Sequence, residues 1–110
     1  MQLKVVKFGG SSLADAEHFK QAAKIIKEDP ERRYVIPSAP GKRFSDDIKV
    51  TDMLYALHAA AAGAGNFDDI YCRICERFTQ IVSGLGAELT LDEELENIKK
   101  NLLAGFGRDY

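Results

Sequence analysis

A lysine, two glycines and two serines stand together near the start of the chain, in Lys7-Phe8-Gly9-Gly10-Ser11-Ser12. They close Leu3-Lys-Val-Val-Lys-Phe8, a short run of β-formers that stops at the glycines, so the group sits where a strand ends in a sharp turn. Residues of these types in this order suit the gripping of phosphate. Glycines without Cβ atoms let the backbone come close to a ligand and adopt positive φ. Their N–H groups, with the N-terminus of a following helix, can point at phosphate oxygens. Strand alternation sets Lys7 on the face opposite Phe8, from which its ammonium can reach over the loop, and Ser11 and Ser12 add hydroxyl donors. A plain turn with a solvated strand-end lysine accounts for the same residues, and the Walker pattern G-x-x-x-x-G-K-[ST] is missing.

The elements that must hold this loop can be read in order. From Asp15, apolar residues at Phe19, Ala22, Ala23, Ile25 and Ile26 make one helical stripe, with acids early, lysines late and Pro30 as the stop. Arg33-Tyr-Val-Ile-Pro37 is a second strand. Strand, helix and strand within about 35 residues have the length of a βαβ unit, which makes the two strands parallel neighbours. The glycine loop and a second small-residue loop, Pro37-Ser38-Ala39-Pro40-Gly41, then both lie at strand carboxyl ends, where open α/β sheets bind ligands.

Lys42 to Lys49 is charged and turn-like, and is expected to be exposed and mobile. Val50 or Thr51 opens a helix that ends near Gly63, and Asn66 to Asp69 cap a helix from Asp69 to about Ser83. Thr90 with its following acids suggests a capping box for a last helix through Leu95, Ile98 and Leu102. The expected class is α/β and helix-rich, with two parallel strands (about 3–8 and 33–37) and about four helices. Parallel strands need cover on both faces, so the chain reads as the first part of a larger domain.

With 110 residues there is room for one small domain. Hydrophobic residues at 45% and charged residues at 29% are ordinary for a globular protein, and a net charge of -2 with mixed signs offers no basic footprint for nucleic acid and no polybasic membrane anchor. The start lacks the pattern of a secretion signal, and the least charged stretch, Met53 to Phe67, is too short to span a bilayer. A soluble, cytoplasmic protein is expected. Cys72 and Cys75 form a C-x-x-C spacing, but inside a helical stretch and without a second cysteine pair, so they read as small hydrophobes on a buried helix face rather than a redox or zinc pair.

Val5-Val6-Lys7-Phe8-Gly9-Gly10-Ser11-Ser12-Leu13-Ala14 resembles the opening of aspartate kinases, which belong to the amino-acid kinase fold. Ser38-Ala39-Pro40-Gly41 and Val50-Thr51-Asp52-Met53-Leu54 are similar to that family's second glycine loop and Thr-Asp helix start, in the right order. The first motif alone would admit kinases acting on carbamate, glutamate or uridylate, and the second pair points to aspartate. The resemblance implies that Lys7 is the catalytic lysine on the phosphates of ATP. It further implies that Lys7, Gly9, Gly10 and Ser11 bind phosphate, and that Ser38 and Thr51 contact the substrate L-aspartate. It implies ATP and Mg²⁺ as cofactors and transfer of the γ-phosphoryl group to the side-chain carboxylate of aspartate. No residue here is assigned as a metal ligand. Pro40, which removes a backbone N–H from the second loop, and the long Lys42 to Lys49 link both depart from the family pattern.

By the same resemblance, residues 1–110 would be the N-terminal portion of the kinase domain. A later substrate segment, the base pocket and the regulatory ACT domains would lie outside it, and such a fragment is expected to be inactive alone. Two other readings stay open: a non-catalytic module whose bare sheet edges favour self-association into a homo-oligomer, and the kinase part of a bifunctional aspartokinase–homoserine dehydrogenase.

Overall fold

The computed structural model describes residues 2–105, which form two compact units that meet in sequence at Thr51 and Asp52. In the first unit, strand β1 (Lys4–Phe8) and strand β2 (Arg32–Pro37) pair in parallel, joined by helix α1 (Ala16–Glu28). Between β1 and α1 the chain makes a short 3-10 turn, Gly10–Leu13. The sequence pattern does not reveal this turn, and it means that the glycines feed α1 indirectly.

Helix α1 starts where Asp15 accepts a hydrogen bond from the His18 N–H at 3.0 Å, and its last residue is followed by Asp29 and Pro30. Its apolar stripe lands on one face of the sheet: Phe8, Leu13 and Ala22 are buried together, with Val6, Phe19 and Ile26 packed on them. The strand start is pinned by Lys4, whose ammonium lies 2.6 Å from Asp29. Pairing shifts register between Lys4 and Val5, so that Lys4 faces Arg32 but Val5 faces Tyr34.

The other face of the sheet carries Val5, Lys7, Tyr34 and Ile36, and it is exposed. Val5, Tyr34 and Ile36 are 64%, 57% and 52% accessible, a row of apolar residues such as a parallel sheet ordinarily covers.

Helix α2 (Val50–Ala61) starts at the end of the first unit. The second unit holds the rest of α2 with helix α3 (Phe67–Leu85) and helix α4 (Asp92–Leu103). Met53 and Leu57 of α2, Ile74 of α3 and Leu95 of α4 form its core. The Asn66 side chain caps α3 by accepting from the Asp69 N–H at 3.1 Å, and Gly86 ends it in the left-handed region at φ 65°. The capping box expected at Thr90 does not form. The Thr90 hydroxyl accepts from the Asp92 N–H at 3.1 Å, but Leu91 stands at the cap position with no side-chain bond. Thr90 thus turns the chain into α4 instead of capping it.

Candidate functional site

The two small-residue loops lie at the carboxyl ends of the two parallel strands and touch through their glycines. The Gly41 N–H donates to the Gly10 carbonyl at 2.8 Å. A Cβ on Gly41 would come within 2.6–2.9 Å of the Gly10 and Ser11 backbone, and one on Gly10 within 3.1–3.3 Å of Ala39 and Gly41. Neither Gly9 nor Gly10 has positive φ, contrary to the sequence expectation, and Gly9 is extended at φ -75° and ψ 173°. Close approach of backbone to backbone, not an unusual dihedral, requires glycine at Gly41 and leaves little room for more at Gly10. A Cβ on Gly9 would meet nothing within 4 Å, which leaves that side of the loop open.

Each end of this contact is fastened further. The Ser38 N–H donates to the Phe8 carbonyl at 3.1 Å, extending the strand pairing into the second loop, and the Ser12 N–H closes the 3-10 turn on the Gly9 carbonyl at 3.1 Å. Pro40 is buried, and its carbonyl accepts from the N–H of the fully buried Val50 at 3.0 Å. The proline that removes one donor therefore contributes an acceptor that starts α2. The N–H groups of the first turn of a helix lack partners within it, so the chain at Thr51 has the polarity that suits an anion.

Lys7, Gly9, Ser11, Ser38 and Thr51 are all solvent-accessible, while Gly10 is half-buried under the second loop. Lys7 projects from the face of β1 opposite the buried Phe8, beside Ile36 of β2.

The link from Lys42 to Lys49, expected to be mobile, is organised by one ion pair. Arg43 Nε and Nη2 donate to Asp47 Oδ2 and Oδ1 at 2.6 and 3.0 Å, and the Arg43 backbone N–H also donates to Oδ2 at 2.9 Å. The Asp47 N–H returns to the Phe44 carbonyl at 3.1 Å, and the Arg43 guanidinium lies 5.6 Å from the Phe44 ring centre. The Arg43 side chain, ahead of the backbone N–H groups of Arg43 and Ile48, holds the Asp47 carboxyl far below its usual range. Asp15, at the start of α1, is lowered chiefly by the His18 N–H and then by its ring, with Arg43 a smaller cause.

Among the described residues no group of three or more His, Cys, Asp or Glu side chains could hold a metal ion. A groove of about 260 Å³ in the helical unit, lined by residues such as Phe78, Val82, Leu89 and Leu95, holds Asp92 as its one ionisable residue and presents no catalytic set. Cys75 is half-buried against the core of that unit, where burial pushes its thiol pKa up. Cys72 is exposed, so only one of the pair behaves as a core residue.

The model of the amino acid kinase family matches residues 2–110. The chain belongs to the amino acid kinase family. Aspartokinase 3 of Bacillus subtilis is 36% identical over 103 residues, which are 94% of this chain and 23% of that protein. A crystal structure of aspartate kinase from Clostridium acetobutylicum superposes with a TM-score of 0.95 and 45% identity, covering 100% of this chain and 25% of the other. E. coli aspartokinase III, solved in complex with aspartate and ADP in its R-state, gives a TM-score of 0.72 at 26% identity, covering 96% of this chain and 24% of the other. The chain thus spans about a quarter of the length of these relatives. The fold expected from sequence, two parallel strands in a helix-rich part of an amino acid kinase, is the one observed. None of the helices in the described residues is long and apolar enough to cross a membrane.

For this member of the amino acid kinase family, the sequence motifs named both loops but not what joins them. The roles of Gly41 in the clamp, of the Pro40 carbonyl and of the Arg43–Asp47 pair were all missed. The spacing Pro40-Gly41 before the helix start was the available signal for the first two.

Proposed function

We propose that this chain is the phosphate- and substrate-gripping part of an aspartate kinase, which transfers the γ-phosphoryl group of ATP to the β-carboxylate of L-aspartate. The observation that carries the reading is the contact of Gly10 with Gly41, which joins the loop after Lys7 to the loop that begins at Ser38. The likeness over almost the whole chain to an aspartokinase solved with aspartate and ADP supports it.

In this scheme a carboxylate oxygen of aspartate attacks the γ-phosphorus, the bond to the β-phosphate oxygen breaks, and ADP leaves with its electron pair. Phosphoryl transfer needs in-line positioning and neutralised charge more than covalent help. Lys7 is the cation that meets charge on the transferring group, and the N–H groups of Gly9, Gly10 and Ser11 hold phosphate oxygens. The Ser38 hydroxyl and Thr51, in the first turn of α2, orient the aspartate. Mg²⁺ belongs to the proposal as the ion such phosphates carry. The described residues bring no set of ligands together for it, so no step is assigned to it.

Residues 1–110 would form the N-terminal portion of the kinase domain, without turnover in isolation, with the regulatory ACT domains lying elsewhere in the enzyme. The apolar face of Val5, Tyr34 and Ile36 fits that reading, because it asks for cover from further polypeptide. The reaction would be a cytoplasmic first step toward lysine, threonine and methionine.

The test is thermal melting of the chain with and without ATP. ATP raises the melting temperature of the wild type, and Lys7→Ala, at an exposed site, keeps the unliganded melting temperature but loses the ATP shift. No ATP shift in the wild type, or an equal shift in Lys7→Ala, overturns the reading. Aspartate-dependent ATP turnover by the isolated chain would overturn the claim that it needs the rest of the domain.

A further inference from the structure

The segment between Gly41 and Val50 has the form of a closed loop with a brace across it. Its base is shut by the Val50 N–H on the Pro40 carbonyl at 3.0 Å, and by the seating of Gly41 on Gly10. Its middle is spanned by the Arg43–Asp47 fork, while Phe44, at 60%, and Ile48, at 47%, stand exposed. A solvated ion pair would contribute almost nothing to such a loop. This pair differs, because the Asp47 side chain is only 6% exposed and both its oxygens take bonds from Arg43.

The loop connects the two residues assigned to the aspartate side. Ser38 precedes it by three positions and Thr51 follows it directly. A longer link between such residues would ordinarily loosen their spacing, and the brace removes that freedom.

We propose that Arg43 and Asp47 are positioning residues for the aspartate subsite: their two-pronged ion pair holds the Gly41–Val50 loop shut and so sets Thr51 at its working distance from Ser38. This rests on the kinase reading given above. Neither side chain touches the reacting atoms. They act through Val50 and Thr51, so their loss should fall on aspartate and spare the nucleotide, whose contacts lie in the first loop.

The experiment is an NMR titration of the chain with Mg·ADP and, at saturating Mg·ADP, with L-aspartate, for the wild type, Arg43→Gln, Asp47→Asn and the double variant. Amide exchange at Val50 and Gly41 is read on the same samples. Each single variant weakens L-aspartate roughly tenfold, less than the ~100-fold that a full ~1 Å misplacement can cost, and changes ADP affinity less than about twofold. The double variant costs no more than either single one, because both remove the same brace. Exchange at the Val50 amide speeds up while that at Gly41, bonded to Gly10, holds.

Unchanged L-aspartate affinity in both single variants overturns the inference. So does an equal loss for both ligands accompanied by a lower melting temperature, which would mark general loosening of the fold. A wild-type chain that binds ADP but not L-aspartate overturns it together with the aspartate half of the kinase reading. A wild-type chain that binds neither ends both.

Discussion

Gly41 sits on Gly10 so closely that a methyl group on Gly41 would lie 2.6 Å from the Gly10 carbonyl carbon. The contact is reciprocal but unequal, since a methyl on Gly10 would come no nearer than 3.1 Å to Ala39 and Gly41. Backbone is what stands in the way at both positions, and backbone cannot swing aside as the end of a side chain can.

Gly41→Ala should therefore force the two loops apart, with a cost of about 1–3 kcal/mol, the range for overpacking. Gly10→Ala should cost less, and Gly9→Ala, which meets nothing, should leave stability unchanged. Urea unfolding of the three variants checks the order, and a Gly9 variant as unstable as the Gly41 variant would contradict it. If Gly9 faces the nucleotide, its alanine variant alone should lose ATP-induced stabilisation while keeping its fold.

The Asp47 carboxyl gives a pH prediction with a definite sign. Its folded-state pKa lies far below the ordinary 3.8, so its contribution to stability is complete above that value and is lost only as the pH falls through the depressed one. Arg43 beside it stays charged throughout, and Asp15, which also faces Arg43, is lowered as well. The Gly41–Val50 loop should thus stay closed at pH 4, where ordinary carboxylates are taking up protons. In Asp47→Asn the acid limb of the stability curve should be shallower and the loop open at every pH. Amide exchange at Val50 between pH 7 and pH 3 measures both.

Strands, helix α1 and the start of α2 were legible because each is marked by local chemistry: β-formers stopped by small-residue loops, an apolar stripe from Asp15 with acids early and lysines late, Pro30 past an end. The clamp was not legible in the same way. Gly10 and Gly41 are glycines because of each other, across 31 positions, and a single sequence read locally assigns each to its own turn. Pro40 was read for the N–H it lacks, whereas its structural part is the carbonyl it offers to Val50. Lys42 to Lys49 is mostly exposed, as its charges suggested, but the Asp47 side chain is only 6% exposed and takes both prongs of Arg43, a pairing that counting the charges as solvated does not show. Cys72 and Cys75 share a helix but not an environment, a difference that three positions on α3 create and that composition cannot show.

The helical unit should answer to its core more than to its caps. Ile74 is 1% exposed and packs with Met53 and Leu57 of α2 and Leu95 of α4, so Ile74→Ala removes contacts with both neighbouring helices and should cost about 2–5 kcal/mol. Asn66→Ala removes one cap bond to the Asp69 N–H and should cost about 1 kcal/mol. Urea unfolding followed by far-UV circular dichroism compares them. A cap variant as damaging as the core variant would mean that α3 depends on its end rather than its packing.

The two cysteines should react at different rates, and the order follows from their surroundings. Cys72 is exposed on α3, where a reagent in solution can reach it. Burial raises the pKa of Cys75 and so lowers the share of reactive thiolate at pH 8, an effect that its bond with Tyr71 offsets only in part. Tyr71 itself is pushed up to about 12, first by burial and then by Cys75, so it remains a neutral partner at that pH. A thiol reagent such as 5,5′-dithiobis(2-nitrobenzoate) should modify Cys72 quickly and Cys75 slowly, in two phases of equal amplitude that merge in denaturant. A redox pair would behave otherwise, with one thiol activated by a depressed pKa and reacting faster than an unfolded cysteine. Single Cys72→Ser and Cys75→Ser variants assign the phases, and a fast phase that survives in Cys72→Ser would overturn this reading of the C-x-x-C spacing.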